Sequence, residues 1–302
     1  MVRSFVSTLL VAGFAAAAAG SAFAQAAEAD RAFLERASLR AADDNCELFN
    51  EGERLALEAG YWQSRGALLR GGYSVSDVTS LAEEAGAYAL QRGCNDRNLA
   101  LSADRLRDAF KAFSRTPFME YFADYSTWTA SRADSDDWAV VQAAEDGARL
   151  GLFNAEAGAP PVPAVFFPIE EGYAGPVSAR LFLRDPLKSP SPWLGGVLGV
   201  RDGPTPPPSG ISKPYWAGDV RVVEEGRGSP AGLAFFFAGD LQASLSELDP
   251  REAVWVEFAP SPRLRNAKPT RTMFEIGDFR AAAAFAAIPK PAASQEIASA
   301  DY

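Results

Sequence analysis

Histidine is absent from all 302 residues of the chain. That gap removes Ser-His-Asp and Cys-His catalysis, and the common zinc hydrolase centres, because each needs an imidazole as base or ligand. Cysteine is almost absent too, with Cys46 and Cys94 the only two. Two thiolates without histidine fall short of the four ligands of a structural zinc site, and their spacing is not that of a C-x-x-C redox motif. Basic side chains are in deficit: 29 Lys and Arg face 39 Asp and Glu, a formal net charge of −10. So acidic a surface repels nucleic acid and anionic lipid headgroups, which leaves neutral, cationic or protein partners. There is no P-loop, no G-x-S-x-G elbow and no dinucleotide fingerprint. The glycines around Trp193, at Gly195, Gly196 and Gly199, do not fall into G-x-G-x-x-G. No catalytic residue, metal ligand or cofactor is predicted.

What is present begins at the N-terminus. Arg3 stands before an apolar run from Phe5 to Ala19, and the small-residue pattern Ala22-Phe23-Ala24 precedes Gln25. This is the three-part pattern of a signal peptide, predicted over 1–24 with cleavage after Ala24. The run is shorter than the roughly 20 apolar residues of a membrane span, and no later run is long enough. No cysteine lies at the cleavage point to carry a lipid. Cleavage removes Arg3 alone among charged residues and leaves a mature charge of −11. The expected location is the periplasm or the exterior, with no integral span after cleavage. In an oxidising compartment the lone pair Cys46–Cys94 reads as a disulfide.

The mature chain divides by periodicity. Residues 25–116 predict a small helical bundle with helices over Glu28–Asn45, Cys46–Leu69, Ser76–Gly93 and Asp96–Phe113. A short link between the second and third helices predicts antiparallel packing, which would bring the start of one and the end of the other, and with them the cysteines, together. The second helix is longer than the third, so a kink or early end near Gly60 or Gly66 is expected. Residues 117–288 alternate instead, predicting a mainly antiparallel β sandwich or barrel-like domain with two short helices. Strands are expected at Trp138–Gln142, Ala148–Phe153, Ala164–Ile169, Val177–Arg184, Val220–Val223, Leu233–Phe237, Val254–Phe258 and Arg271–Ile276. Asp146-Gly147 marks a hairpin. In Val177–Arg184 the alternation sets Val177, Ala179, Leu181 and Leu183 on one face. The two helices are expected near Asp240–Leu248 and from an Asp278 N-cap to Ala287. Ser189–Pro214 reads as a stiff Pro- and Gly-rich loop, and 289–302 as a disordered tail. The fold class is α+β.

Three groups carry candidate chemistry. Asp134, Asp136 and Asp137 offer oxygens for calcium but lack the glycine and distal glutamate of an EF-hand loop. Glu170 and Glu171 could enter a carboxylate pair for glycoside hydrolysis. Of six tryptophans, Trp128, Trp138, Trp193 and Trp216 fall near strand ends or loops, and Trp193 and Trp216 are the expected contacts for a ligand or partner.

Two resemblances follow from the same stretch. Trp128-Thr129-Ala130-Ser131-Arg132, Trp138 to Gln142, Leu183-Arg184-Asp185-Pro186 and Gly210-Ile211-Ser212-Lys213 resemble uncharacterised exported proteins of alphaproteobacterial type, to which no activity is attached. The order of elements over Trp138 to Ala287, from a Trp-led strand to Ile276-Gly277-Asp278-Phe279 opening the last helix, is similar to the invasion-associated locus B family. That similarity implies a non-enzymatic β-sandwich of the cell envelope. The leading expectation is a non-catalytic envelope protein that binds another protein or an envelope component through the loops of the sheet domain. The alternatives are a carboxylate-dependent hydrolase of glycan or peptide, or a small-ligand or sugar binder.

Overall fold

The computed structural model describes residues 13–133, 137–156, 158–169, 175–195, 205–226, 230–264 and 266–289, with side chains from Ala29 onward. Residues 1–12 of the expected signal peptide, Asp134 to Asp136, Glu170, Glu171 and the tail from residue 290 lie outside the described residues.

Four helices come first: α1 (Gly13–Cys46), α2 (Glu51–Arg70), α3 (Val75–Arg92) and α4 (Arg97–Phe113). α1 starts earlier than the periodicity predicts and runs through Ala24. Capping residues explain the other starts. At α2 the Asn50 side chain accepts from the Glu53 amide while the Glu53 carboxylate accepts from the Asn50 amide. Ser74 and Asp77 repeat this reciprocal pairing at α3. Asp96 accepts from the amides of Asn98 and Leu99 at α4. Each cap satisfies amides that have no partner within the helix.

The Asn50 cap corrects one expectation. Cys46 ends α1 instead of opening α2, and Glu47 turns the chain at φ 51°. α2 and α3 then have similar lengths, 20 and 18 residues, and no kink is needed. The disulfide Cys46–Cys94 is present, with its Cα atoms 5.5 Å apart. It joins the end of α1 to the turn after α3, so it is not the α2–α3 hairpin that brings the cysteines together. α3 packs chiefly on α1 and runs in the same direction. Tyr73 Oη donates to Asp30 at one end, and Ser38 Oγ donates to the Ala85 carbonyl midway.

Ten strands follow: β1 (Phe118–Phe122), β2 (Thr127–Ser131), β3 (Trp138–Ala143), β4 (Arg149–Phe153), β5 (Val162–Pro168), β6 (Pro176–Arg184), β7 (Ser212–Val223), β8 (Gly232–Phe237), β9 (Ala253–Pro260) and β10 (Thr270–Glu275). They form one sheet in the order β1-β2-β3-β4-β5-β8-β7-β6-β9-β10, antiparallel at each paired step. The Asp146-Gly147 turn joins β3 to β4, with Gly147 at φ 81°. An irregularity at Pro176/Ser178 shifts the register, so Val177 faces solvent instead of joining Ala179, Leu181 and Leu183 inside.

Two short helices, α5 (Leu241–Ser246) and α6 (Phe279–Ala286), complete the chain. Phe279, Ala281, Ala282 and Phe285 of α6 sit in one buried cluster with the inner face of the sheet. Ala59 of α2 belongs to that cluster, and Leu55, Trp62, Phe110 and Phe113 pack against it. Helical layer and sheet thus share one core. Asp278 stands at the N-cap position of α6 but makes no cap bond, because both its oxygens accept from Arg70 of α2, each at 2.8 Å. Gly66 makes this approach possible: a Cβ there would lie 2.0 Å from Asp278 Oδ1. Among the described residues, no helix is long and apolar enough to cross a membrane.

The sheet curls until β10 meets β3. Gln142 closes the gap: its Nε2 donates to the Glu275 carbonyl at 3.0 Å, and its Oε1 accepts from the Glu275 amide at 2.8 Å. One side-chain amide thereby replaces a strand neighbour. Thr272 Oγ1 donates to Asp146 at 2.6 Å, and Trp128 Nε1 to the Ile276 carbonyl at 2.8 Å, along the same seam. Gln142→Ala strips two buried backbone groups of their partners and is expected to lower unfolding stability by about 2–4 kcal/mol in urea. A loss below about 0.5 kcal/mol would show that the seam holds without it.

Candidate functional site

Strand alternation builds an outward face on β7, β6, β9 and β10. Leu181, Leu183, Val254, Val256, Phe258 and Phe274 point into the core. The residues between them point out. Register then sets two rows across the four strands. Trp216 pairs with Arg180, Arg180 with Glu257, and Glu257 with Arg271. Beside it, Pro214 pairs with Phe182, Phe182 with Trp255, and Trp255 with Met273.

The rows interlock. The rings of Phe182 and Trp255 stack face to face, 4.1 Å apart and 6° from parallel. The Arg180 guanidinium lies 4.7 Å from the Trp216 ring and 5.1 Å from that of Phe182. Arg271 lies 4.1 Å from the Trp255 ring. Glu257 ties the ladder together, accepting from Arg180 and from Arg271 Nε at 3.0 Å and Nη2 at 2.9 Å. Burial pulls the Glu257 carboxyl upward, but its hydrogen bonds from Arg180 and Arg271 prevail and hold it below the usual carboxylate range. The charges therefore stay on at neutral pH. An open trough of about 600 Å³ lies over Phe182, Trp255 and Met273, rimmed by Pro206, Pro207 and Pro208.

Trp216 is 60% exposed on this ladder, where the sequence expectation put a contact residue. Trp193 lies elsewhere: it is half-buried, its backbone amide donates to Glu252, and its buried indole N–H has no acceptor among the described residues. Trp128 and Trp138 are core residues. Arg180, Phe182, Trp255, Glu257 and Arg271 escaped the sequence reading. Their signal was there, in the outward parity of three separate strands, but only strand order joins them.

Acid-base chemistry finds less to work with. Burial holds the Asp278 carboxyl above its ordinary range against the opposing pull of Arg70. Asp278 and Glu247 line one cavity, yet both oxygens of Asp278 are held by Arg70. Lys213 Nζ donates to Tyr215 Oη at 2.6 Å, and Tyr215 shares a hydrogen bond of 2.7 Å with Ser244. The bond to Tyr215 raises the Lys213 pKa, which keeps the amine protonated and unfit to activate Ser244. Among the described residues, no group of three Asp, Glu or Cys side chains is placed to hold a metal ion.

The chain matches no family model, no curated protein and no solved structure.

Proposed function

We propose that this chain is an exported, non-catalytic binding protein that docks a protein partner of the cell envelope on the outer face of β7, β6, β9 and β10. The observation that carries the reading is the ladder Trp216–Arg180–Phe182–Trp255–Arg271, held rigid by Glu257 and left open to solvent at Trp216. Trp and Arg dominate the energetic centres of protein interfaces, because each offers a large contact area and directional bonding. Stacking fixes these rotamers before any partner arrives, so little side-chain entropy is lost on contact. Phe182 and Trp255 turn their faces to each other, with Arg180 and Arg271 beside them, which leaves little ring face for a sugar to stack on. Export is supported by the N-terminal pattern and by the disulfide, a bond that persists in oxidising compartments.

The test places a photo-crosslinking residue at position 216, and for comparison at Tyr88 on α3, which is also exposed. Irradiated cells are expected to give one adduct of discrete mass from position 216 and none from position 88. Arg271→Glu is expected to reduce that adduct by roughly ten-fold, since it puts like charge beside Glu257 and removes the guanidinium over Trp255. The purified partner should bind the wild-type chain and not the Trp216→Ala chain. No adduct from position 216, or the same adduct from position 88, overturns the reading.

A further inference from the structure

A second site lies on the opposite side of the molecule's shared core, where α2 meets the start of α6. Trp62 of α2 stands at its centre. The Arg280 guanidinium lies 3.4 Å from the Trp62 ring centroid, and those of Arg40 and Arg65 each lie 5.6 Å away. Three cations on one ring need counter-charge. Arg40 has it in Glu58, whose other oxygen accepts from Trp62 Nε1 at 2.8 Å.

Arg65 and Arg280 have no such partner in contact, and Asp249 and Glu58 act on them only from a distance. Among the described residues, neither donates a hydrogen bond nor forms an ion pair. The neighbouring acids are already engaged. Asp278 is held by Arg70, Asp249 by Arg251 and Glu58 by Arg40. Only the exposed Glu247 remains near, on the rim. Both guanidiniums are half-buried, and burial lowers the pKa of each, a sign that the charged form is under-solvated there.

The two arginines line a cavity of about 220 Å³ together with Trp62, Ser246 and the first turn of α6. That turn adds a second, independent feature. Asp278 spends its carboxylate on Arg70 instead of capping the helix, and the backbone amides of Arg280 and Ala281 find no acceptor among the described residues. Open amides at a helix start attract anions, as do forked guanidiniums.

We propose that this cavity binds a phosphate group. Two cations without a contacting acid match the charge of a phosphate monoester near neutral pH, about −1.5 to −2. The tetrahedral oxygens offer enough acceptors for two forks and two amides at once. The net charge of −10 makes the site stand out, because a cationic notch on an acidic protein draws anions only at that point. The phosphate arrives either on a small soluble molecule or on a lipid headgroup.

Calorimetric titration of the mature protein with inorganic phosphate at constant ionic strength is expected to show one saturable site. Arg65→Gln and Arg280→Gln are each expected to weaken binding by roughly ten-fold or more, and Arg280→Lys by less, since it keeps charge without the fork. Each Gln variant removes a half-buried charge and loses a contact with the Trp62 ring, two effects of opposite sign, so its urea midpoint without phosphate should stay close to that of the wild type. Lost binding then cannot be lost folding. Vesicles with and without phosphatidic acid identify the source. Co-sedimentation with the acidic vesicles, reversed by inorganic phosphate, assigns a headgroup; binding of free phosphate alone assigns a soluble ligand. No saturable phosphate site, or a site that both Gln variants leave unchanged, overturns the proposal.

Discussion

Arg70→Ala is expected to cost about 3–5 kcal/mol of unfolding stability at neutral pH, because it strands a buried carboxylate. Its partner Asp278 is only 1% exposed at the side chain, and Arg70 donates a hydrogen bond to each of its oxygens. The pH dependence follows from the direction of the Asp278 shift. Burial favours the protonated carboxyl, so the folded chain holds this proton to higher pH than the unfolded chain does. Stability from this group is therefore fully present below the unfolded pKa and is lost as pH rises through the folded one. Removing Arg70 moves the folded value further up. The deficit of Arg70→Ala relative to the wild type should then be small near pH 4, about the ordinary carboxylate value, and grow to its full size by neutral pH. Urea unfolding followed by tryptophan fluorescence across that range measures it. A deficit under about 1 kcal/mol at pH 7, or one that does not change with pH, would refute the argument.

Replacing both cysteines, Cys46→Ser with Cys94→Ser, is expected to cost about 4 kcal/mol, the loop-closure value for a cross-link of this span. The position of the bond sharpens the expectation. It fastens α1 to the end of α3, and α3 reaches the remainder of the protein mostly through α1. Amide exchange in α3 should rise more than exchange in α6, which is held from both sides by α2 and the sheet. Cys94 is exposed, so a mild reductant should open the bond without denaturant and reproduce the effect in the unaltered chain. The oxidised protein should weigh two hydrogen atoms less than the reduced one and resist alkylation. Equal protection of α3 in both redox forms would show that the packing of α1 on α3 suffices alone.

Local signals carried most of the architecture and little of either site. The alternation of Val177–Arg184 and the Asp146-Gly147 turn are short-range features, and both stand in the structure apart from the outward turn of Val177. The start of α2 was misplaced because helical periodicity runs smoothly from Cys46 onward, while the reciprocal bonds of Asn50 and Glu53 decide where the helix begins. β1 gives little sequence signal because Phe118 and Phe122 face solvent on an edge strand, which obscures the buried pattern. Asp278 matched a capping residue in sequence, and only Arg70, 208 positions away, shows that its carboxylate is committed elsewhere. The Trp216 ladder and the Trp62 cavity draw on strands and helices far apart in the chain. No window of sequence holds enough of either to reveal it.

The Gln142–Glu275 and Arg70–Asp278 contacts bridge 133 and 208 residues and depend on segments near the end of the chain. Until those segments are present, α2 lacks the partner for its buried face and the curled sheet lacks its closing seam. The core that α2, α6 and the sheet share can therefore close only once residues 275 to 285 have joined it.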